Sequence, residues 1–117
     1  MGMLYYVHAD EGDVRESDGF RAREIKLPTK SSNLAEITLD KRYPKQGRAL
    51  NEDVEMTVYV LEGSVRFSSE GGTKEFGVGS TIFVRKKQRY FWEPVGEVRF
   101  LAYSTPPWTP EQHKEVP

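Results

Sequence analysis

Residues 47–63 read GRALNEDVEMTVYVLEG: a glycine, a polar turn at Asn51-Glu52-Asp53, then an apolar stretch closing on Tyr59-Val60-Leu61-Glu62-Gly63. Val54, Met56, Val58 and Val60 fall on one side of an extended chain, and Glu55, Thr57, Tyr59 and Leu61 on the other. Successive side chains of a strand point to opposite faces, so this alternation marks β-structure. Both faces become apolar towards the end, which predicts a central strand covered on both sides.

Outward from this segment the pattern recurs in short pieces. Residues 34–39 set Ala35, Ile37 and Leu39 against Glu36 and Thr38. Residues 20–27 alternate apolar and charged residues, change phase between Ala22 and Ile25 in the manner of a bulge, and stop at Pro28. Residues 10–19 are acidic and turn-forming, and residues 4–7 (Leu-Tyr-Tyr-Val) predict a short N-terminal strand. Downstream, Glu62-Gly63 predicts a turn into Val65 and Phe67, and Glu70-Gly71-Gly72 a hairpin turn in which glycine supplies positive φ. Gly77-Val78-Gly79 and Glu93-Pro94-Val95-Gly96 read as further turns, with strands at residues 82–84, 90–92 and 98–103. Short strands at regular spacing between glycine turns predict an all-β sandwich or barrel. Thr109 as N-cap and Pro110 at the first helical position predict a short C-terminal helical turn.

A chain of 117 residues predicts one domain, residues 1–117, around a single core. Charges of both signs are interspersed to a net −1, which argues against a nucleic-acid partner, since that needs a sustained basic face. The basic run Arg85-Lys86-Lys87-Gln88-Arg89 reads as a solvated loop between strands. With no cysteine there is no disulfide or thiolate chemistry, and a reducing compartment is compatible. No apolar run nears the roughly 20 residues of a membrane helix, and no signal-peptide layout opens the chain. The expectation is a soluble cytoplasmic protein with no membrane partner.

The 47–63 segment resembles the first signature of a small cupin of the cupin 2 type. In that pattern His-x-His and a Glu precede the closing glycine. Counting back from Gly63 sets Met56 at the Glu position and Leu50 and Glu52 at the two His positions. For the second signature, Gly71 and Gly79 match its glycines, Gly77 replaces its proline, and Ile82 and Val84 match its buried strand. Arg85 stands where a proline is common, Tyr90 where the fourth ligand is normally His, and Glu93 near the Asn that often follows. The resemblance covers residues 34–103 and implies a cupin-type jelly-roll β-barrel, flanked by the 4–7 strand and a Pro/Trp-rich tail at 104–117. It also implies a homodimer paired through edge strands, with residues 4–7 as the exchanged segment. The barrel hosts enzymes, sugar binders, seed proteins and sensor domains, so it does not fix a function.

The two histidines, His8 and His113, lie near the termini and neither has metal-ligand spacing. The several-imidazole centre of a mononuclear cupin cannot be assembled from them. Ligation of a hard ion by Asn51, Glu52 and Glu55 competes with the plainer reading of a solvated turn. The expectation is therefore no metal and no cofactor. If Met56 replaces the ligand Glu, the face of Met56, Val58 and Val60 looks into the barrel. Glu52 then points the same way, and Glu55 points out unless a bulge shifts the register.

Across the barrel, Tyr90 and Trp92 share a face and read either as core packing or as an aromatic wall for a sugar or ring; Phe91 reads as core. The ligand-binding set predicted is thus Asn51, Glu52, Met56, Val58, Tyr90 and Trp92, and the partner a small molecule, sugar-like or another small polar metabolite. The alternative is a metal-independent isomerase, epimerase or lyase with Tyr90 and either Glu52 or Glu55 as acid and base. A metal-dependent oxygenase is disfavoured by the missing imidazoles. The tail from Ser104 to His113 reads as a plug in which Trp108 closes the barrel end or a dimer seam, rather than as a source of Gln112 or His113 for the pocket mouth.

Overall fold

The computed structural model describes residues 4–117. Its strands are β1 (Asp13–Ser17), β2 (Phe20–Ile25), β3 (Asn33–Leu39), β4 (Arg48–Asn51), β5 (Glu55–Ser69), β6 (Gly72–Phe76), β7 (Thr81–Val84), β8 (Tyr90–Thr105) and β9 (His113–Val116), with a 3₁₀ turn at Pro110–Gln112. The pairing runs β1-β2-β3-β8-β4-β9, while β5 joins β8 and carries β6 and β7. The result is a curled, all-β jelly roll.

Two long strands set its curvature. β5 and β8 run together from Glu55 opposite Thr105 to Ser69 opposite Tyr90, with register shifts at Val60/Glu62 and Glu62/Ser64. Gly63 lies within the second shift at φ +75, and a Cβ there would stand 2.1 Å from the Glu97 carbonyl oxygen. Only glycine permits that approach. Such bulges sharpen local twist, so the pair bends. The turns predicted at Glu62-Gly63 and at residues 93–96 are therefore bends inside continuous strands. Their glycines and proline mark where the sheet curls, and pairing with the neighbour keeps the chain extended.

The inward residues pack as predicted for a barrel. Met56, Val58, Val60, Val65, Val98 and Phe100 form the core together with Leu39, Ile82, Val84 and Trp92. The outer face of β5 is different: Tyr59 is 45% exposed, and Phe83 and Tyr103 beside it are 47% and 43% exposed. β5 is central in its pairing, yet it is covered on one face only.

The acidic segment before β2 contains β1, which pairs with β2 from Asp13 opposite Glu24 to Ser17 opposite Phe20. All five β1 residues are exposed, so no apolar face announced the strand. β2 pairs with β3 without a slip, from Phe20 opposite Leu39 to Ile25 opposite Leu34. The phase change in the sequence is thus no bulge; Phe20, Ala22 and Glu24 stay on one face, with a carboxylate in an inward position. Residues 4–7 form no strand. Leu4, Tyr5 and Tyr6 are exposed, and the Tyr5 hydroxyl donates to the Lys26 carbonyl at 2.8 Å.

At the other end, Pro110 opens the 3₁₀ turn but the Thr109 hydroxyl makes no cap. β9 then pairs with β4, placing His113 opposite Asn51. Among the described residues no helix is long and apolar enough to cross a membrane.

Candidate functional site

The barrel holds a partly open cavity of about 70 Å³. Its walls are largely apolar: Phe20 and Ala22 from β2, Ala35, Ile37 and Leu39 from β3, Met56 from β5, and Trp92, Phe100 and Ala102 from β8. Strand parity explains the set, because alternate residues of four adjacent strands face the lumen. The polar lining is small, and half of it comes from outside those strands. Arg15 and Glu24 belong to the β1–β2 hairpin, Tyr43 to the β3–β4 connection, and Trp108 and His113 to the tail; Asn33, Tyr90 and Ser104 complete it.

Tyr43 and His113 of this lining form a chain of contacts with the buried Asn51. The Tyr43 hydroxyl lies 2.8 Å from His113 Nε2, and His113 Nδ1 lies 2.9 Å from Asn51 Oδ1. The same oxygen accepts from Gln112 Nε2 at 3.0 Å and from the Trp108 indole at 3.3 Å. An oxygen serving those two donors is an acceptor towards His113 as well, so His113 carries its proton on Nδ1 and offers a bare Nε2 to Tyr43. Asn51 Nδ2 is buried with no hydrogen-bond partner. Leaving a buried donor unmade costs about 1–3 kcal/mol, so the tail is latched to Asn51 at some expense in stability.

Burial first, then the nearby Arg15 charge, holds His113 below the ordinary histidine range. Burial, reinforced by Glu115, pushes the Tyr43 phenol up to about 12. Burial pushes Tyr90 up as well. Near neutral pH the pair is therefore a neutral imidazole beside a neutral phenol. It can accept or deliver one proton.

The sequence-predicted residues divide. Met56, Tyr90 and Trp92 line the cavity, with Tyr90 and Trp92 edge-to-face at 5.7 Å. Val58 packs on the same face in the core and does not reach the cavity. Asn51 is buried behind the lining as the acceptor of the tail. Glu52 is half-exposed and sits 3.7 Å from Lys114; Glu55 starts β5 opposite Thr105. Neither lines the cavity, so Tyr90 has no carboxylate partner from Glu52 or Glu55. A turn that exposes Glu52 and the outward parity of Glu55 account for this.

The sequence does not single out Arg15, Glu24 or Tyr43 as site residues, and the tail is more than the expected plug. Trp108 does pack there, but it brings His113 into the lining. One signal was present: the phase break in β2 is Glu24 facing inward. For Tyr43 and His113 no local pattern existed.

The metal that cupin barrels commonly hold does not suit this donor set. The four positions carry Leu50, Glu52, Met56 and Tyr90, of which Glu52 is a surface residue paired with Lys114. Among the described residues no group of three or more His, Cys, Asp or Glu side chains converges on a point.

No family model matches the sequence, and no curated protein matches it. The fold is shared with solved structures. A Streptomyces nucleoside dehydratase, in a variant with uridine, superposes with a TM-score of 0.83 at 15% identity over 98% of this chain and 92% of that one. The polyketide cyclase RemF from Streptomyces resistomycificus gives 0.75 at 23% identity over 97% and 86%. Ectoine synthase from P. lautus gives 0.75 at 15% identity over 97% and 91%. An RmlC-like cupin from Shewanella frigidimarina gives 0.74 at 14% identity over 89% and 92%. At these identities the likeness concerns architecture, and it agrees with the glycine and strand pattern of residues 47–63: this chain has the cupin fold.

Proposed function

We propose that this protein binds a small polar molecule in the barrel and acts on it by proton transfer through Tyr43 and His113, as an isomerase, epimerase or lyase. The observation that carries the reading is the 2.8 Å contact between the Tyr43 hydroxyl and the bare Nε2 of His113 in the cavity wall.

The pair works as a relay. A ligand proton moves to the Tyr43 oxygen while the phenolic proton moves to His113 Nε2. Tyr43 stays neutral throughout and His113 becomes imidazolium. The reverse movement returns the proton to a different atom of the ligand in an isomerisation, to the other face of the same carbon in an epimerisation, or to the departing oxygen in an elimination, which leaves as water or an alcohol. Without the relay, a phenol with its pKa near 12 would be a poor base at neutral pH. Asn51 supports the imidazolium by accepting from Nδ1–H. Three of the fold neighbours, the nucleoside dehydratase, the polyketide cyclase and the ectoine synthase, are named as enzymes for small organic substrates, which supports this class of reading.

A thermal-shift screen of small polar metabolites, followed by proton–deuteron exchange of each stabilising compound in D₂O, tests it. Wild-type protein is expected to catalyse exchange at a carbon of the ligand. Tyr43→Phe and His113→Gln, still folded, are expected to lose it by about 10²-fold or more, the usual scale of acid–base catalysis. Exchange that survives in both variants would overturn the reading. Retention of a ligand with no exchange at all would leave the barrel as a binding module. Two further expectations belong to the same reading, a homodimer and a cytoplasmic location. Sedimentation velocity of the purified chain checks the first, and fractionation of cells expressing the tagged chain checks the second.

A further inference from the structure

We propose that Arg15 recognises a carboxylate, and that the ligand class is a small hydroxy- or oxo-acid with its carboxylate at the cavity mouth and its reacting end beside Tyr43. The inference rests on the Tyr43–His113 reading and adds a class of substrate to it.

Arg15 is the one cation among the described residues that line the cavity. It comes from β1, the exposed strand of the β1–β2 hairpin, and stands opposite Ala22 of the cavity wall. Its guanidinium lies 4.6 Å from the centre of the Trp108 ring. A guanidinium held over an aromatic face still has N–H donors to offer, and their planar fork suits a carboxylate.

Its protein partner is weak. The contact with Glu24 is 3.9 Å, and the Arg15 side chain is 48% exposed. In the same protein Arg99 holds Glu36 at 2.6 Å and Glu62 at 2.8 Å. The other arginine–carboxylate contacts of the sheet, Arg21–Glu16, Arg23–Glu36 and Arg66–Glu75, span 3.5 to 3.6 Å, so the Arg15 contact is the longest of the set. Its charge already reaches the reacting pair, since it contributes to holding His113 below its usual range.

Charge and size narrow the ligand. Glu24 beside Arg15 disfavours a phosphate monoester, which carries about −1.5 to −2 at neutral pH. A single carboxylate meets one cation with less repulsion. The lumen of about 70 Å³ has room for only a few water-sized groups. It admits a short polar head, and the charged end stays in the mouth where Arg15 and Trp108 stand.

The test uses the full chain and three defined probes, lactate, 3-hydroxybutyrate and benzoate, each beside its neutral amide. The readouts are tryptophan fluorescence and the NMR signals of the Trp108 indole N–H and the Arg15 Nε–H. A carboxylate is expected to bind at least 10-fold tighter than its amide. Arg15→Gln is expected to abolish that preference. Glu24→Gln is expected to tighten carboxylate binding several-fold and to admit phosphoglycolate, an effect a purely structural role for Arg15 would not produce. Equal binding of acids and amides, a preference that survives Arg15→Gln, or no response to any acid would each overturn the assignment. Exchange lost in Tyr43→Phe for some other ligand would still uphold the relay, so the two failures are separable.

Discussion

Tyr43 and His113 stand 70 residues apart in the chain and 2.8 Å apart in the barrel. β9 brings His113 to the edge of β4, opposite Asn51, and the β3–β4 connection brings Tyr43 to meet it. What the pair can do depends on which histidine nitrogen carries the proton, and Asn51 determines that.

Nitrogen-15 NMR is therefore expected to show His113 as the Nδ1–H tautomer. Asn51→Leu removes the acceptor of three side-chain donors and is expected to cost at least 1–3 kcal/mol of stability and to mix the tautomers. Asn51→Asp keeps the acceptor and adds a negative charge, so the His113 pKa is expected to rise. A tautomer unchanged in Asn51→Leu would remove Asn51 from the site.

The pH dependence of stability follows from the His113 shift. Its folded pKa lies below the unfolded value near 6.5 because of burial and then Arg15. As pH falls through 6.5 the unfolded chain binds the proton first, so stability is expected to fall from there down to the folded pKa. Above about pH 7 this contribution is flat. Chemical denaturation at several pH values checks it: the acid-side loss is expected to shrink in His113→Gln, and in Arg15→Gln the His113 pKa is expected to rise.

Gly63→Ala tests the bend in β5. Its φ of +75 and the 2.1 Å distance from an added Cβ to the Glu97 carbonyl oxygen leave no room for a side chain. The expected cost is about 2 kcal/mol or more, from left-handed strain and displacement of the paired strand. Gly71→Ala, where an added Cβ meets nothing within 4 Å, is expected to lie within about 1 kcal/mol of wild type. Urea titration of the two variants measures the contrast.

Phe100 is 1% exposed and packs on Trp92 with ring centres 5.3 Å apart. Phe100→Ala is expected to destabilise by about 3–5 kcal/mol, the usual range for losing a buried aromatic ring, and to enlarge the lumen. Benzene or another neutral ring should then stabilise the variant and not the wild type; a thermal-shift series decides it.

The sequence by itself determined the barrel. Alternation in residues 54–61 and 34–39 is a local property of a strand with one face buried, and it survived folding unchanged. The glycines at 63, 71 and 79 also mark their bends and turns locally, although Gly63 proved to be a bend within a strand. Met56, Tyr90 and Trp92 were legible because parity on a known strand says which side chains face inward. Tertiary structure alone brought Tyr43 and His113 together. β1 has no buried face, so its pattern carried no signal, and Arg15 became part of a site through pairing with β2. Tyr43 and His113 lie in segments with no period to read, and their meeting depends on β9 closing against β4. Residues 47–63 thus announce the fold and supply Met56 to the cavity wall, while Tyr43 and His113 arrive from parts of the chain that only long-range pairing brings together.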